Sequence, residues 1–320
     1  MTEQPPTEQT EDAGWERSLI RELSLESVRE KRRARRWGIF FKILLALYLV
    51  VLLVLWTPDL WKDAHLQADE YTALIEVKGV ISADSEARAD YIVGGLRDAF
   101  EDEKVKGIIL RINSPGGSPV QSGYIYDEIR RLRQEHADIP VYAVVADICA
   151  SGGYFIASAA DKIYVNKASI VGSVGVLMNS FGFTDAMKDL GIERRLMTAG
   201  AHKAIMDPFS PMQEFDKNHI QNLLNKIHQQ FIAVVREGRG DRLKENDEIF
   251  SGLFWTGEES IELGLADGIG SSSYVAREVI GAEELVDFSR AEDVLDRLAK
   301  RLGAGATSML LQLNGGIQLR

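Results

Sequence analysis

The segment Ala150-Ser151-Gly152-Gly153-Tyr154 and, 52 positions after Ser151, Lys203 are the residues whose types and spacing best fit them for chemistry. A serine hydroxyl at a glycine-flanked turn is a small nucleophile with room around it. A lysine that reaches it could take its proton, with no histidine required. The chemistry would be acyl transfer, in which the hydroxyl attacks a carbonyl and backbone N–H groups hold the developing oxyanion. Ser151 stands where a helix should start, so free N–H groups and the positive end of the helix lie beside it. The Gly152 N–H is a natural donor. Two more glycine turns occur, Asn113-Ser114-Pro115-Gly116-Gly117 and Val171-Gly172-Ser173-Val174-Gly175. Gly117 has no side chain to block the approach of a second backbone donor. Each motif also has an ordinary reading: Ser-Gly-Gly is a common helix start with Ser as the N-cap, and Asn-Ser-Pro-Gly-Gly is a common turn.

The base must come from elsewhere. The histidines are His65, His136, His202, His219 and His228, and none lies between Ser151 and His202. Lys203 sits in the stretch from Thr198 to Phe209, among small and apolar residues. A lysine acts as a base only when neutral, which requires its reference pKa of about 10.4 to fall, and apolar burial can achieve that. His202 beside it is a rival base, and a lone lysine is also an ordinary solvated surface charge. Cys149, the single cysteine, has apolar neighbours Ile148 and Ala150 and reads as a buried small hydrophobe. No intrachain disulfide is possible.

The elements that would position these residues alternate. Strands are expected over 73–77, 105–112, 141–148 and 162–165, and helices over 91–102, 120–135, 152–160 and 214–239, with a shorter helix over 292–302. Strands alternating with helices imply βαβ units and an α/β fold with a mostly parallel sheet. In such sheets ligands gather at the carboxyl ends of strands. The turns at 113–117 and 150–154 follow strands, so they could face one site.

The chain has 320 residues and a formal net charge of −11, which argues against nucleic acid as a partner. Residues 1–42 hold 9 basic and 8 acidic groups, so the acidic excess lies beyond them. From Trp37 to Thr57 the only charge is Lys42. At about 1.5 Å per residue this stretch covers roughly 31 Å, enough to cross a bilayer core. The block Arg29, Lys31, Arg32, Arg33, Arg35 and Arg36 precedes it. The positive-inside rule then puts the N-terminus in the cytoplasm and the remainder outside it. A cleaved signal peptide fits less well, because the charged lead-in is too long. Residues 1–28 read as a disordered tail with an amphipathic piece over 18–28.

Taken in order, Arg111-Ile112-Asn113-Ser114-Pro115-Gly116-Gly117, Ala150-Ser151-Gly152-Gly153-Tyr154, Val171 to Val176, the Lys203 segment ending in Asp207-Pro208-Phe209, Trp255-Thr256-Gly257 and Gly264-Leu265-Ala266-Asp267 resemble the signal peptide peptidase A family of membrane-anchored bacterial serine proteases. The resemblance covers roughly residues 70–290. It implies a Clp-protease/crotonase-like fold of repeated ββα units with a mostly parallel sheet, here preceded by one transmembrane helix. It also implies a serine endopeptidase with Ser151 as nucleophile, Lys203 as general base, Ser173 orienting the lysine, and Gly117 and Gly152 as oxyanion-hole donors. From the sequence alone Ser173 is a turn residue. No cofactor or metal is implied. The implied partners are apolar signal-peptide substrates and further copies of the chain in a ring-like or dome-like homo-oligomer, with sites where protomers meet. Ser151 and Lys203 could then come from neighbouring subunits.

The expected layout is a cytoplasmic basic tail over 1–36, a transmembrane helix over 37–57, a linker over 58–69, the protease domain over 70–290 and a C-terminal helix and tail over 291–320. The implied location is the bacterial inner membrane with the catalytic domain periplasmic. The implied substrates are signal-peptide remnants. Two other readings compete: a catalytically inactive protease-like scaffold, and a crotonase-type acyl-CoA enzyme, for which no clear carboxylate pair is present.

Overall fold

The computed structural model describes residues 31–33, 35–52 and 69–290. The expected tail over 1–28 with its amphipathic piece, most of the linker and the helix over 292–302 lie outside the described residues. By its internal contacts the chain divides into Met1–Gln67 and Ala68–Arg320. In the first unit residues 31–33 and 35–52 are helical. Among the described residues no helix is long and apolar enough to cross a membrane. The stretch 35–52 holds Arg35, Arg36 and Lys42, and residues 53–57 of the expected span lie outside the described residues.

The second unit is a mixed α/β structure built on a mostly parallel sheet. Its elements begin β1 (Tyr71–Lys78), α1 (Ala89–Glu101), β2 (Val105–Ser114), α2 (Pro119–Glu135), β3 (Val141–Ala150), α3 (Gly152–Ala157), β4 (Lys162–Val165) and β5 (Ile170–Gly172). They continue with α4 (Thr184–Asp189), α5 (Glu214–Arg239), β6 (Phe254–Thr256), α6 (Gly257–Glu262), β7 (Gly268–Ile269) and, after a helical stretch ending at Ile280, β8 (Leu285–Asp287). The sheet runs β6-β5-β3-β2-β1-β8, with β4 pairing β3 and β7. Every named pair is parallel except β5 with β6.

The central strand β2 buries both faces, which is why its sequence is apolar without alternation. Ile108, Leu110 and Ile112 point to the side where Ile92 and Leu96 of α1 and Ile125 and Ile129 of α2 complete the main core. Ile109 points the other way, into a smaller cluster with Leu74, Val144, Tyr164, Val275 and Ala276. Each such side chain contributes about 1.5–3 kcal/mol on burial. Helix α2 starts on Ser118, whose hydroxyl accepts from the Gln121 N–H at 3.4 Å, with Pro119 in the first turn where its missing N–H costs nothing.

Strand β3 matters most for the site, because its partner on one side changes along its length. At its start, Tyr142 to Val144 pair with β4. At its end, Ile148 to Ala150 pair with β5, while Cys149 opposes Ser114 of β2. The carboxyl ends of β2, β3 and β5 therefore converge, and each leads into one of the three glycine turns.

Candidate active site

Ser151 leaves β3 with φ 52° and ψ −122°, in the left-handed half of backbone space that side chains disfavour. Such a conformation costs on the order of 1–3 kcal/mol and persists only where its surroundings dictate it. Here they do: the Ser151 N–H donates to the Gly172 carbonyl at 2.9 Å, and the Ser151 carbonyl accepts from the Phe155 N–H at 2.9 Å. The hydroxyl makes no capping bond, so the N-cap reading of this serine does not describe it. A sharp strand-to-helix turn of this kind lifts a serine hydroxyl off the sheet and into the open.

The helix behind it is α3, three residues shorter than the sequence suggests. The Ser158 hydroxyl bonds back to the Tyr154 carbonyl at 2.8 Å as the helix ends. Tyr154 pins α3 from below. It is fully buried, its hydroxyl donates to the Leu265 carbonyl at 2.8 Å, and burial pushes its phenol pKa up. Cys149 is also fully buried, and burial raises its thiol pKa well above the ordinary range. A thiol so placed is an inert hydrophobe, not a nucleophile.

Two backbone donors border the serine. Gly152 opens α3, so its N–H has no partner within the helix. Gly117 lies beside it: a Cβ built on Gly152 would come 3.2 Å from the Gly117 nitrogen. Gly117 is held by a bridge to Ile81, whose bonds run from the Ile81 N–H to the Gly116 carbonyl at 2.9 Å and from the Ser118 N–H to the Ile81 carbonyl at 2.8 Å. The Gly117 N–H takes no part in that bridge. Glycine is required here, because a Cβ would stand 2.1 Å from the Ile81 carbonyl oxygen. The neighbouring Gly116 has φ 100°, and a Cβ there would strike the Ser151 Cβ at 2.6 Å.

Ser173 follows β5, also at positive φ (53°), with its N–H donating to the Leu253 carbonyl at 2.7 Å. Ser151, Gly152, Gly117 and Ser173 all line one cleft of about 670 Å³. No sequence motif points to the remaining walls. Pro119, Ser122 and Gly123 come from α2, Phe155 from α3, and Ile227, Gln230 and Phe231 from α5. A signal exists in α2, where Pro119, Ser122, Gly123 and Tyr126 stand at i, i+3, i+4 and i+7, one continuous helical stripe.

Lys203 is not brought into this cleft. It sits in a turn over residues 201–206 and is exposed, with its N–H on the Gly200 carbonyl at 3.2 Å. His202 stacks on Phe215 at 4.1 Å between ring centres and lies 3.6 Å from the Asp216 carboxylate, so it too is turned away from Ser151. Both belong to an arm over residues 176–213 that contains α4, none of whose residues is buried. The arm is nonetheless ordered by its own contacts. Phe183 stacks on Phe209 at 5.6 Å, and the Phe183 N–H donates to the Pro208 carbonyl at 2.7 Å. Asp207 accepts from the Ser210 hydroxyl at 2.6 Å and pairs with Arg194. Those two contacts, the hydroxyl bond first, hold its carboxyl below the usual range. Yet Leu177, Phe181, Leu190 and Met197 stand in the open, Met197 at 93% exposure.

A serine on a strained strand-to-helix turn, flanked by two free backbone N–H groups at the end of a mostly parallel sheet, defines the site by its geometry. The comparisons with known proteins support a serine-type peptidase as its class. Residues 133–286 match the model of Peptidase family S49, and the similar proteins include ones named signal peptide peptidase SppA and Protease 4. The chain is 30% identical over 197 residues to the putative signal peptide peptidase SppA of Enterococcus faecium, covering 62% of this chain and 57% of that protein. It is 31% identical over 236 residues to Protease 4 of Haemophilus influenzae, covering 72% of this chain and 37% of that one. A higher identity, 46% over 188 residues, links it to a Brucella abortus protein named Na(+)/H(+) antiporter NhaA, covering 59% of this chain but only 25% of the relative. The chain thus spans between a quarter and somewhat over half the length of these relatives.

Proposed function

We propose that this chain is a membrane-anchored serine endopeptidase of the Clp-protease/crotonase-like kind that degrades signal-peptide remnants after preprotein processing. The Ser151 oxygen attacks the peptide carbonyl while its proton passes to the Lys203 amine, and the tetrahedral oxyanion is held by the Gly117 and Gly152 N–H groups. The C–N bond then breaks, the leaving amine takes the proton from Lys203, and an acyl ester remains on Ser151. Water, deprotonated by Lys203, attacks that ester and restores the serine. Ser173 orients the lysine amine. The observation that carries the reading is the Ser151 turn: a strained serine whose hydroxyl caps nothing and shares a cleft with two glycine donors.

The distance in sequence and space between Ser151 and the exposed arm is accounted for if the base comes from another protomer. In this reading the open apolar residues of the arm are the face on which the next subunit docks, and that contact brings Lys203 to the neighbouring Ser151. The active form is then a homo-oligomer with sites at protomer interfaces. The stretch 37–57 anchors it in the inner membrane, with the basic residues before it in the cytoplasm and the catalytic unit periplasmic. Anchoring keeps the enzyme at the surface where apolar peptides reside. Neither nucleic acid nor a cofactor enters the scheme.

The test is cleavage of an apolar signal peptide by the full chain in detergent. Ser151→Ala and Lys203→Ala should each abolish it with unchanged melting, whereas His202→Ala should retain it. Full activity in Lys203→Ala with loss in His202→Ala would reassign the base. A wild-type chain that binds the peptide and never cuts it would favour the inactive scaffold.

A further inference from the structure

The glycines around Ser151 fall into two kinds. Gly117 and Gly152 are forced by packing, since a Cβ would meet the Ile81 carbonyl oxygen at 2.1 Å in the first case and the Ser122 hydroxyl at 2.5 Å in the second. Gly123 is different. It lies inside α2 without a positive φ, and a Cβ built on it finds no atom within 4 Å. A glycine within a helix is less stable than an alanine, so neither backbone nor packing accounts for it. What its missing side chain does is leave space in the cleft it lines.

That space has a defined chemistry. Phe155 and Phe231 line it with their rings 5.1 Å apart, and the buried Tyr126 backs Phe155 edge-on at 5.4 Å. Ile227 and Val176 add aliphatic surface, and among the described residues none that lines the cleft carries a charge. The Tyr126 hydroxyl reaches outward to Glu237 at 3.5 Å, so its ring is held against Phe155. The space adjoins the Ser151 hydroxyl and both backbone donors.

Building on the peptidase reading above, we propose that Gly123 is a specificity-determining residue. The gap it leaves admits a bulky apolar side chain, of leucine or phenylalanine size, on the substrate residue whose carbonyl Ser151 attacks. A side chain grown from position 123 enters the same volume and turns the enzyme toward small residues there.

The experiment uses the full chain in detergent and three fluorogenic peptides identical except for alanine, leucine or phenylalanine at the cleaved residue. The readout is the ratio of kcat/KM for phenylalanine to that for alanine. In Gly123→Val it should fall by about tenfold or more, with a smaller fall in Gly123→Ala, since shape exclusion in an apolar pocket discriminates on that scale. A purely structural lesion lowers all three peptides together and leaves the ratio in place. Gly123→Ala should also melt at or above the wild-type temperature, which keeps the test valid if the valine variant folds poorly. A ratio within about twofold of wild type in both variants overturns the inference while leaving the peptidase reading intact. A wild-type chain that cuts none of the peptides defeats both.

Discussion

The cleft around Ser151 and the arm that carries Lys203 are built by opposite means. At the cleft, three strand ends converge, the backbone is forced into positive φ at Ser151 and Ser173, and buried residues such as Tyr154 and Cys149 lock the turn from beneath. In the arm, α4 has no buried residue, and large apolar side chains face outward. One chain by itself builds the strained Ser151 turn and sets Gly117 and Gly152 beside it in one cleft. The same chain leaves its proposed base on an exposed turn. The difference teaches that the fold alone orders the Ser151 turn, whereas in the proposed reading Lys203 depends on a neighbouring subunit that covers the arm.

The largest effects separate the two halves chemically. Ser151→Ala should lower kcat/KM by about 10⁵-fold, and Lys203→Ala should come within about tenfold of that loss, because residues acting as one unit fail together. A fluorophosphonate probe sharpens the contrast, since it should label Ser151 in the wild type and fail on Ser151→Ala. Gly117→Ala attacks the rigid half alone. Its Cβ would stand 2.1 Å from the Ile81 carbonyl oxygen, so the turn must shift. Steady-state kinetics should show a loss of about 10²–10³-fold, the scale of one displaced oxyanion donor.

Met197→Glu attacks the arm alone. At 93% exposure Met197 supports nothing within its own chain, so melting should move by no more than about 0.5 kcal/mol. Cleavage and the sedimentation coefficient should fall together. A drop in neither would remove the arm from the account.

The smallest effect on cleavage, and the clearest on stability, lies behind the cleft. Arg239 is 1% exposed and grips Asp267 through two bonds of 2.8 and 2.9 Å, tying the end of α5 to the segment before β7. Burial by itself would raise the Asp267 pKa, but the Arg239 bonds and charge outweigh it and hold the carboxyl below its usual value. A depressed carboxylate pKa stabilises the fold above the unfolded pKa, near 3.9, and that contribution is lost as pH falls through the folded value. Melting temperature should therefore decline below about pH 4, and Asp267→Asn should flatten that decline. Arg239→Met leaves Asp267 with Arg242 at 3.1 Å and the Ile163 N–H at 2.7 Å, so it should cost less than the full loss of a buried pair, about 1–3 kcal/mol at neutral pH.

Much of this arrangement is legible in the amino-acid sequence alone. The helix over 214–239 and the strand over 162–165 match α5 and β4 to the residue, and the long strands and helices from 71 to 150 differ by one to three residues at their ends. Those elements announce themselves because burial on one helical face or in a parallel sheet leaves a long apolar pattern. The pair β5 and β6 leaves no such pattern. Each has three residues, too few for a period, and their antiparallel contact joins positions more than eighty residues apart. Ser151 and Gly117 are visible as motifs, but the strain that frees the hydroxyl is not, because an N-capping serine and a strained one read alike. The cleft wall on α5 is silent in sequence because Ile227 and Phe231 carry no reactive group, and on α2 only the helical spacing of Pro119, Ser122 and Gly123 marks it. The placement of Lys203 is least legible of all. Its neighbours are small and apolar in sequence, which suggests burial, yet the single chain leaves them outside.

The central claim is that the nucleophile of one protomer works with the lysine of another. Co-expressing Ser151→Ala chains with Lys203→Ala chains tests it directly, since each alone should be inactive. If the site is shared, mixed oligomers pair an intact Ser151 with an intact Lys203 across some interfaces, and peptide cleavage should return to a sizeable fraction of wild type. Mixtures that co-purify and stay inactive at every ratio would contradict the account.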